Sequence, residues 1–360
     1  MADKTQPNPL TCLDPNSMYG HVAFKAALAL ARSSDRMHHA WLLTGPNGIG
    51  KASMAYMAAA WLLADAEPAE SLFGDVPSEF FLDLDDPGTK QVLNGAHPDF
   101  MAIYPRDEDN KSGQIKIDQI RAMHPFMMHK PGRGKMRVAV IDSMDEINRN
   151  GANAMLKLLE EPPENTVIFL ISSRPGRLPP TILSRCRLLR MDPLDHDDCL
   201  KALASIWPDA DQNQINLLAH LCDGAPGRAV SLAESGSADC YQAICALMAS
   251  QTLDIAALST LCGKWGKGGA AGRETREGAV YLLERLLAKA ARHKAIATTH
   301  DSDGFETPVL NLLCERHSAS HLAKLHHDFV TAATPAESLY LDFQHFLLRQ
   351  IVQIHQKVLP

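Results

Sequence analysis

Residues Gly45-Pro46-Asn47-Gly48-Ile49-Gly50-Lys51-Ala52 place three glycines and a lysine in a spacing that suits phosphate. In the pattern G-x-x-x-x-G-K-S/T, glycines let backbone amides wrap phosphate oxygens at a helix N-terminus while the lysine adds positive charge. Gly45, Gly50 and Lys51 hold the fixed positions, with Asn47 and Gly48 inside the loop. The last position normally carries a hydroxyl that ligates magnesium. Here it is Ala52, and Ser53 follows one residue too late in the helix to face the same way.

The other half of such a site is a carboxylate at the end of a neighbouring apolar strand, followed by a glutamate that orients the attacking water. Val138-Ala139-Val140-Ile141-Asp142 supplies the carboxylate, but the next residue is Ser143, with Asp145 and Glu146 displaced along the chain. Both departures weaken cleavage more than phosphate contact. The expectation is a degenerate site that holds ATP or ADP with magnesium weakly, or is vestigial, and that does not hydrolyse nucleotide.

These residues need a scaffold, and the first half of the chain reads as one. His39–Thr44, Phe100–Tyr104, Arg137–Ile141 and Val167–Ile171 are short apolar runs expected as strands, alternating with helical segments in the manner of a parallel sheet covered on both faces. Met54, Ala55, Met57, Ala58, Trp61 and Leu62 follow the glycine loop with helical spacing. Ala152, Met155, Leu156 and Leu159 mark a helix over 150–161, stopped by Pro162-Pro163. Between Ala64 and His97 an acidic, proline-containing stretch with Asp83, Asp85 and Asp86 reads as a surface excursion. Lys130, Arg133, Lys135 and Arg137 are either a local basic patch or a solvated hairpin.

From about Asp195 onward strand signals vanish. The segment 213–234 reads as a small lid. Residues 241–358 read as a larger helical bundle with a glycine-dense break at 263–272, ending in an amphipathic helix with Leu341, Phe346, Leu347, Ile351 and Ile354. The 360 residues call for two or three domains, and the formal charge of −7 argues against a uniformly basic nucleic-acid binder. No apolar run approaches bilayer length and the N-terminus is polar, so a soluble, cytoplasmic chain is expected. The eight cysteines form no C-x-x-C pair. His317 and His321 share a helix face, with His326 and His327 nearby, but no third ligand has the spacing of a metal site.

Five stretches together resemble the delta-prime family of bacterial DNA polymerase III clamp-loader subunits: His39–Pro46, His97-Pro98-Asp99, Ile117–Arg121, Asn153–Pro163 and Leu183-Ser184-Arg185-Cys186-Arg187. The match is specific over His21–Pro193 and looser beyond it. The resemblance implies an α/β AAA+ P-loop domain followed by an all-α lid and an all-α collar. The boundaries it suggests are 1–194, with the acidic insertion at 65–96, then 195–238 and 239–360. It implies a stator that sits beside ATP-hydrolysing gamma or tau subunits and the delta subunit, in a ring that loads the sliding clamp onto primed DNA. It also implies that Arg185 of the Ser-Arg-Cys element reaches nucleotide held by the adjacent subunit. The alternative is a catalytically active, gamma-like clamp-loader ATPase in which Ser53 or water replaces the missing hydroxyl and Asp145 or Glu146 is the base.

Many members of the family carry a four-cysteine zinc module after the P-loop helix. No cysteine lies between Cys12 and Cys186 here, so zinc is not expected. The resemblance puts a first sensor at Ser172 or Ser173 and the second near Gly227-Arg228, with Arg228 one place later than the family's arginine.

Overall fold

The structure is a computed structural model that describes residues 18–34, 36–65, 82–105, 114–133, 136–265, 271–296, 304–338 and 342–356. The chain divides into two compact units, Met1–Arg228 and Ala229–Pro360.

The first unit is built on strands β1 (Ala40–Thr44), β2 (Phe100–Ile103), β3 (Arg137–Ile141), β4 (Thr166–Ser172) and β5 (Arg187–Arg190). All neighbours are parallel, in the order β2-β3-β4-β1-β5. Helix α1 (Val22–Ser33) precedes them, and between them run α2 (Lys51–Leu63), α3 (Pro87–Leu93), α4 (Ile117–Met128), α5 (Arg149–Glu160) and α6 (Pro180–Leu183). Side chains alternate along each strand, so one face takes Trp41, Leu43, Val140, Phe169 and Ile171 against α1 and α2. The opposite face takes Leu42, Ala139, Ile141, Ile168 and Leu170 against α4, α5 and α6. Because both faces are covered, β1 and β4 are buried at every position, which is why they read as unbroken apolar runs.

α2 is buried nearly all round, with Ala52 alone half-buried. Over 82–93 the reading as a surface excursion is corrected, because this part of the stretch packs on α2. Asp86 caps α3 by accepting from the Thr89 amide at 2.7 Å, and the helix lies so close to α2 that a Cβ on Gly88 would stand 2.7 Å from the Leu63 carbonyl oxygen. Leu82, Thr89 and Val92 are buried there. Residues 66–81 lie outside the described residues.

Of the basic stretch, Lys130 and Arg133 are exposed, whereas Arg137 is turned inward. Asp99 is wholly buried, and its carboxylate accepts the Gly132 and Arg133 amides at 2.7 and 2.9 Å and pairs with the Arg137 guanidinium at 3.5 Å. Arg137 also lies over the Phe126 ring, so it serves the join between β2, β3 and the chain that enters β3. Lys135 lies outside the described residues.

After β5 come α7 (His196–Ile206), α8 (Gln212–Leu221) and α9 (Pro226–Glu234), which crosses from the first unit into the second. The second unit continues with α10 (Ser237–Met248), α11 (Ile255–Trp265), α12 (Ala271–Ile296), α13 (Thr307–Arg316), α14 (Ala319–Ser338) and α15 (Phe343–His355). Its polar centre is the buried Glu306, which receives Arg285 at 2.6 Å, Lys289 at 3.0 Å and the Tyr241 hydroxyl at 2.6 Å. The glycine-dense break is narrower than its composition suggests. Gly263 stays helical in α11, where the Gln344 side chain packs 3.4 Å from the site of its absent Cβ, and Gly272 lies inside α12. In α15 Leu347, Ile351 and Ile354 are buried as the periodicity requires, while Leu341 lies outside the described residues.

His317 Nε2 donates to the Ile354 carbonyl at 2.9 Å, and its ring stacks on His321. Among the described residues no group of three or more His, Cys, Asp or Glu could hold a metal ion.

Removing the Asp99 carboxylate leaves two amides and a mostly buried guanidinium without their acceptor. Asp99→Ala should therefore cost about 3 kcal/mol in urea unfolding. A midpoint and slope equal to wild type would show that this join does not hold the sheet.

Candidate functional site

The loop after β1 opens at the carboxyl edge of the sheet, between the ends of β4 and β5. Two glycines are required by its path. Gly45 has φ 151° and a Cβ there would meet the Met191 carbonyl oxygen at 2.2 Å; Gly48 has φ 81° and a Cβ would meet the Arg228 amide nitrogen at 2.6 Å. The carbonyls of the loop are tied to the surrounding protein. Asn47 O receives Arg228 Nη2 at 3.3 Å, Gly48 O receives the Gly227 amide at 2.8 Å, and Ile49 O receives His21 Nε2 at 2.8 Å. A trans peptide points its N–H opposite to its carbonyl, so the amides of Gly48, Ile49 and Gly50 turn to the other side of the loop. Together with the N-terminus of the 13-residue helix α2, they form an anion-directed surface.

Lys51 lies under this surface and is buried. Its Nζ donates to Gly45 O at 2.8 Å, Pro46 O at 2.6 Å and Ser173 Oγ at 2.9 Å. Burial lowers its pKa to about 8, while the charges of Asp142 and Asp145 pull it back up and Arg228 lowers it further. Asp142 follows β3 directly. Burial pushes its carboxyl above the usual range, with Lys51 acting in the opposite direction. The sheet thus places a cation and a carboxylate in each other's field, with β4 between their strands.

Asp145 is engaged by three donors. Its carboxylate accepts Ser172 Oγ at 2.6 Å, the Ser173 amide at 2.6 Å and the Arg174 amide at 3.2 Å. Ser143 caps the turn at Met144–Glu146 by accepting from the Asp145 amide. Glu146 pairs with Arg174 at 3.8 Å. The segment after β3 is therefore clamped to the end of β4.

The two sensor candidates separate. Ser172 is fully buried and serves Asp145, whereas Ser173 touches Lys51 and also hydrogen-bonds Asn47 Oδ1. Arg228, although displaced by one place from the family pattern, reaches the loop while its Nη1 donates to Cys222 O at 3.1 Å. Ala52 is half-buried at the helix start and Ser53 is buried within α2. The structure thus brings Gly45, Asn47, Gly48, Gly50, Lys51, Asp142, Ser173 and Arg228 into one locus. Arg185 takes its bonds elsewhere: it donates to Thr181 O at 2.9 Å and pairs with Glu160 at 2.9 Å. These donors suit phosphate, while position 52 offers no oxygen to a divalent cation.

Three contributors were not singled out as loop partners by the sequence. His21 and Gly227 lie 28 and 179 positions from the carbonyls they serve, and no local pattern announces them. Asp145 stands out in the sequence only as an acid near Asp142; its partners come from 27 to 29 positions away.

Residues 20–195 match a family model described as DNA polymerase III, delta subunit. The chain is 34% identical over 189 residues to the DNA polymerase III subunit delta' of Pseudomonas aeruginosa, covering 52% of this chain and 53% of that one. It is 34% identical over 163 residues to the delta' subunit of Bacillus subtilis, covering 44% of each, and 29% identical over 216 residues to the tau subunit of Escherichia coli, covering 59% of this chain and 31% of that one. The chain thus spans about half the length of the delta' relatives it matches. A gamma subunit-related protein from Thermotoga maritima superimposes with a TM-score of 0.41 at 16% identity, covering 92% of this chain and 99% of that one. The matched stretch contains both the parallel sheet and its glycine loop, so over residues 20–195 this chain is similar to the delta-prime subunits of DNA polymerase III.

Proposed function

We propose that this chain is the stator-type, delta-prime subunit of a DNA polymerase III clamp loader, working by position and not by hydrolysis. In this reading its partners are gamma or tau and delta subunits, and it meets the sliding clamp and primed DNA through the assembled loader. Residues 195–238 act as the lid and 239–360 as the collar. The loop at Gly45–Lys51 holds ATP or ADP as a static ligand at most. Arg185 is offered to nucleotide on a neighbouring subunit, oriented by Glu160. A guanidinium delivered in this way is worth about 10³ to 10⁵ in rate in phosphoryl transfer.

The observation that favours this reading over a gamma-like ATPase is the state of Asp145. The active alternative needs Asp145 or Glu146 as its base, and the Asp145 carboxylate already accepts from Ser172, Ser173 and Arg174. The oxygens that would have to face the attacking water are already turned to those donors. Ala52 argues the same way from the metal side.

Steady-state ATP hydrolysis tests this directly, with the purified chain alone, with Lys51→Ala, and after addition of a clamp-loader ATPase partner. The expected result is no turnover alone and DNA-stimulated turnover in the mixture that drops by at least tenfold with Arg185→Ala. Turnover by the isolated chain that disappears in Lys51→Ala would make it a motor, and mixed turnover indifferent to Arg185 would remove the trans-arginine role.

Lys51 gives the proposal a pH signature. The free lysine loses its proton near pH 8, and a phosphate anion favours the protonated form, so binding above that pH requires proton uptake. ATP affinity measured by calorimetry should therefore be steady below about pH 8 and fall as pH rises above it, with the decline abolished in Lys51→Met. A flat wild-type profile from about pH 7 to 9.5 would remove Lys51 from the phosphate contact.

A further inference from the structure

Cys199, on the first turn of α7, and Cys222, the residue that ends α8, are both buried, and their sulfurs lie 3.3 Å apart with one thiol donating to the other. Both are free thiols. A disulfide needs a sulfur separation of about 2.05 Å, so the pair is about 1.3 Å from bonding distance. The chain already reverses beside Cys222, where Asp223 and Gly224 take φ 49° and 72°.

The two sulfurs sit in unequal surroundings. The Cys199 thiol, the Ala225 and Gly224 amides and the Arg228 guanidinium all favour a thiolate at Cys222 and together outweigh its burial. Cys199 is shifted the opposite way, first by the hydrogen bond it shares with Cys222 and then by burial. Burial alone raises Cys186 to about 12, and it is the leading cause of the raised values at Cys240, Cys245 and Cys262. Reactive cysteines combine a neighbouring cation and donors to the thiolate with access for the oxidant; Cys222 has the first two and is buried, so its reaction runs through local opening of this segment.

We propose that Cys199 and Cys222 form a reversible dithiol–disulfide site in the helical segment after β5, with Cys222 as the attacking sulfur, Cys199 as the resolving one, and a small disulfide of the glutathione class as oxidant. The Cys222 thiolate attacks one sulfur of the oxidant; a mixed disulfide forms and one small thiolate leaves. Cys199 then gives up its proton, its sulfur attacks that of Cys222, the protein S–S bond forms and the mixed S–S bond breaks. The two protein thiols lose two electrons and two protons, and the oxidant leaves as two thiols. Because the two residues stand 23 positions apart, the bond also restricts the unfolded chain and stabilises the fold. It anchors the residue whose carbonyl holds Arg228, and Arg228 in turn holds Asn47 of the glycine loop.

The test uses the full chain, incubated natively with oxidised glutathione and mapped by mass spectrometry after blocking of free thiols. The expected outcome is a linked pair of peptides carrying Cys199 and Cys222, reversed by dithiothreitol, together with a rise of several degrees in melting temperature. Cys199→Ser should stop at a glutathione adduct on Cys222, and Cys222→Ser should give neither adduct nor link. Absence of the link in natively oxidised wild-type protein, or its appearance only after denaturant is added, would overturn the proposal. The wild-type map decides this even where a serine variant fails to fold.

Discussion

The Asp145 carboxylate is the constraint on which the nucleotide-type locus depends. By accepting from Ser172, Ser173 and Arg174, it fixes the end of β4 to the turn that follows β3. That fixes Ser173, and Ser173 holds Lys51. Hydrogen bonds to an ionised acceptor are roughly twice as strong as neutral ones, and several on one carboxylate leave it little freedom to turn toward solvent. In an active ATPase an acid near this place would have to face water. Here it braces the site, so rigidity has been gained at the position where reactivity would need a mobile proton acceptor.

The same device recurs at two other joins. Asp99 draws the chain entering β3 onto β2, and Glu306 draws α10 and α12 onto the start of α13. At both of these joins a buried carboxylate is surrounded by donors from segments distant in sequence. A buried charge is costly unless it is paired and hydrogen-bonded, so each such group penalises arrangements in which its donors are displaced. Apolar packing on the two faces of the sheet supplies most of the adhesion. The carboxylates set which segments meet.

The glycine loop is held from outside by the same logic. Arg228, Gly227 and His21 take the carbonyls of Asn47, Gly48 and Ile49, so the path of the loop belongs to the fold of the whole first unit and not to the motif alone. Lys51 is held from within, and burial lowers its pKa to about 8. A loop of this kind is preorganised to receive an anion, and position 52 carries no side-chain oxygen beside it.

Some of this was determined by the sequence alone. The runs at 39–44, 137–141 and 167–171 are strands, and 150–161 is a helix ending before Pro162-Pro163, because apolar periodicity and proline act over a few residues. The glycine loop was legible for the same reason, since its glycines and lysine are neighbours in the chain. Tertiary structure decided what depends on distant partners. The seven-residue helix α3 reads as polar excursion until α2 is there to cover it, and Arg137 reads as a surface cation until Asp99 is buried beside it. Asp145 reads as a stand-in base until Ser172 and Ser173 arrive from the next strand. Local pattern fixes backbone conformation within a turn or two, whereas the role of a charged side chain is set by whatever the fold brings within 3 Å of it.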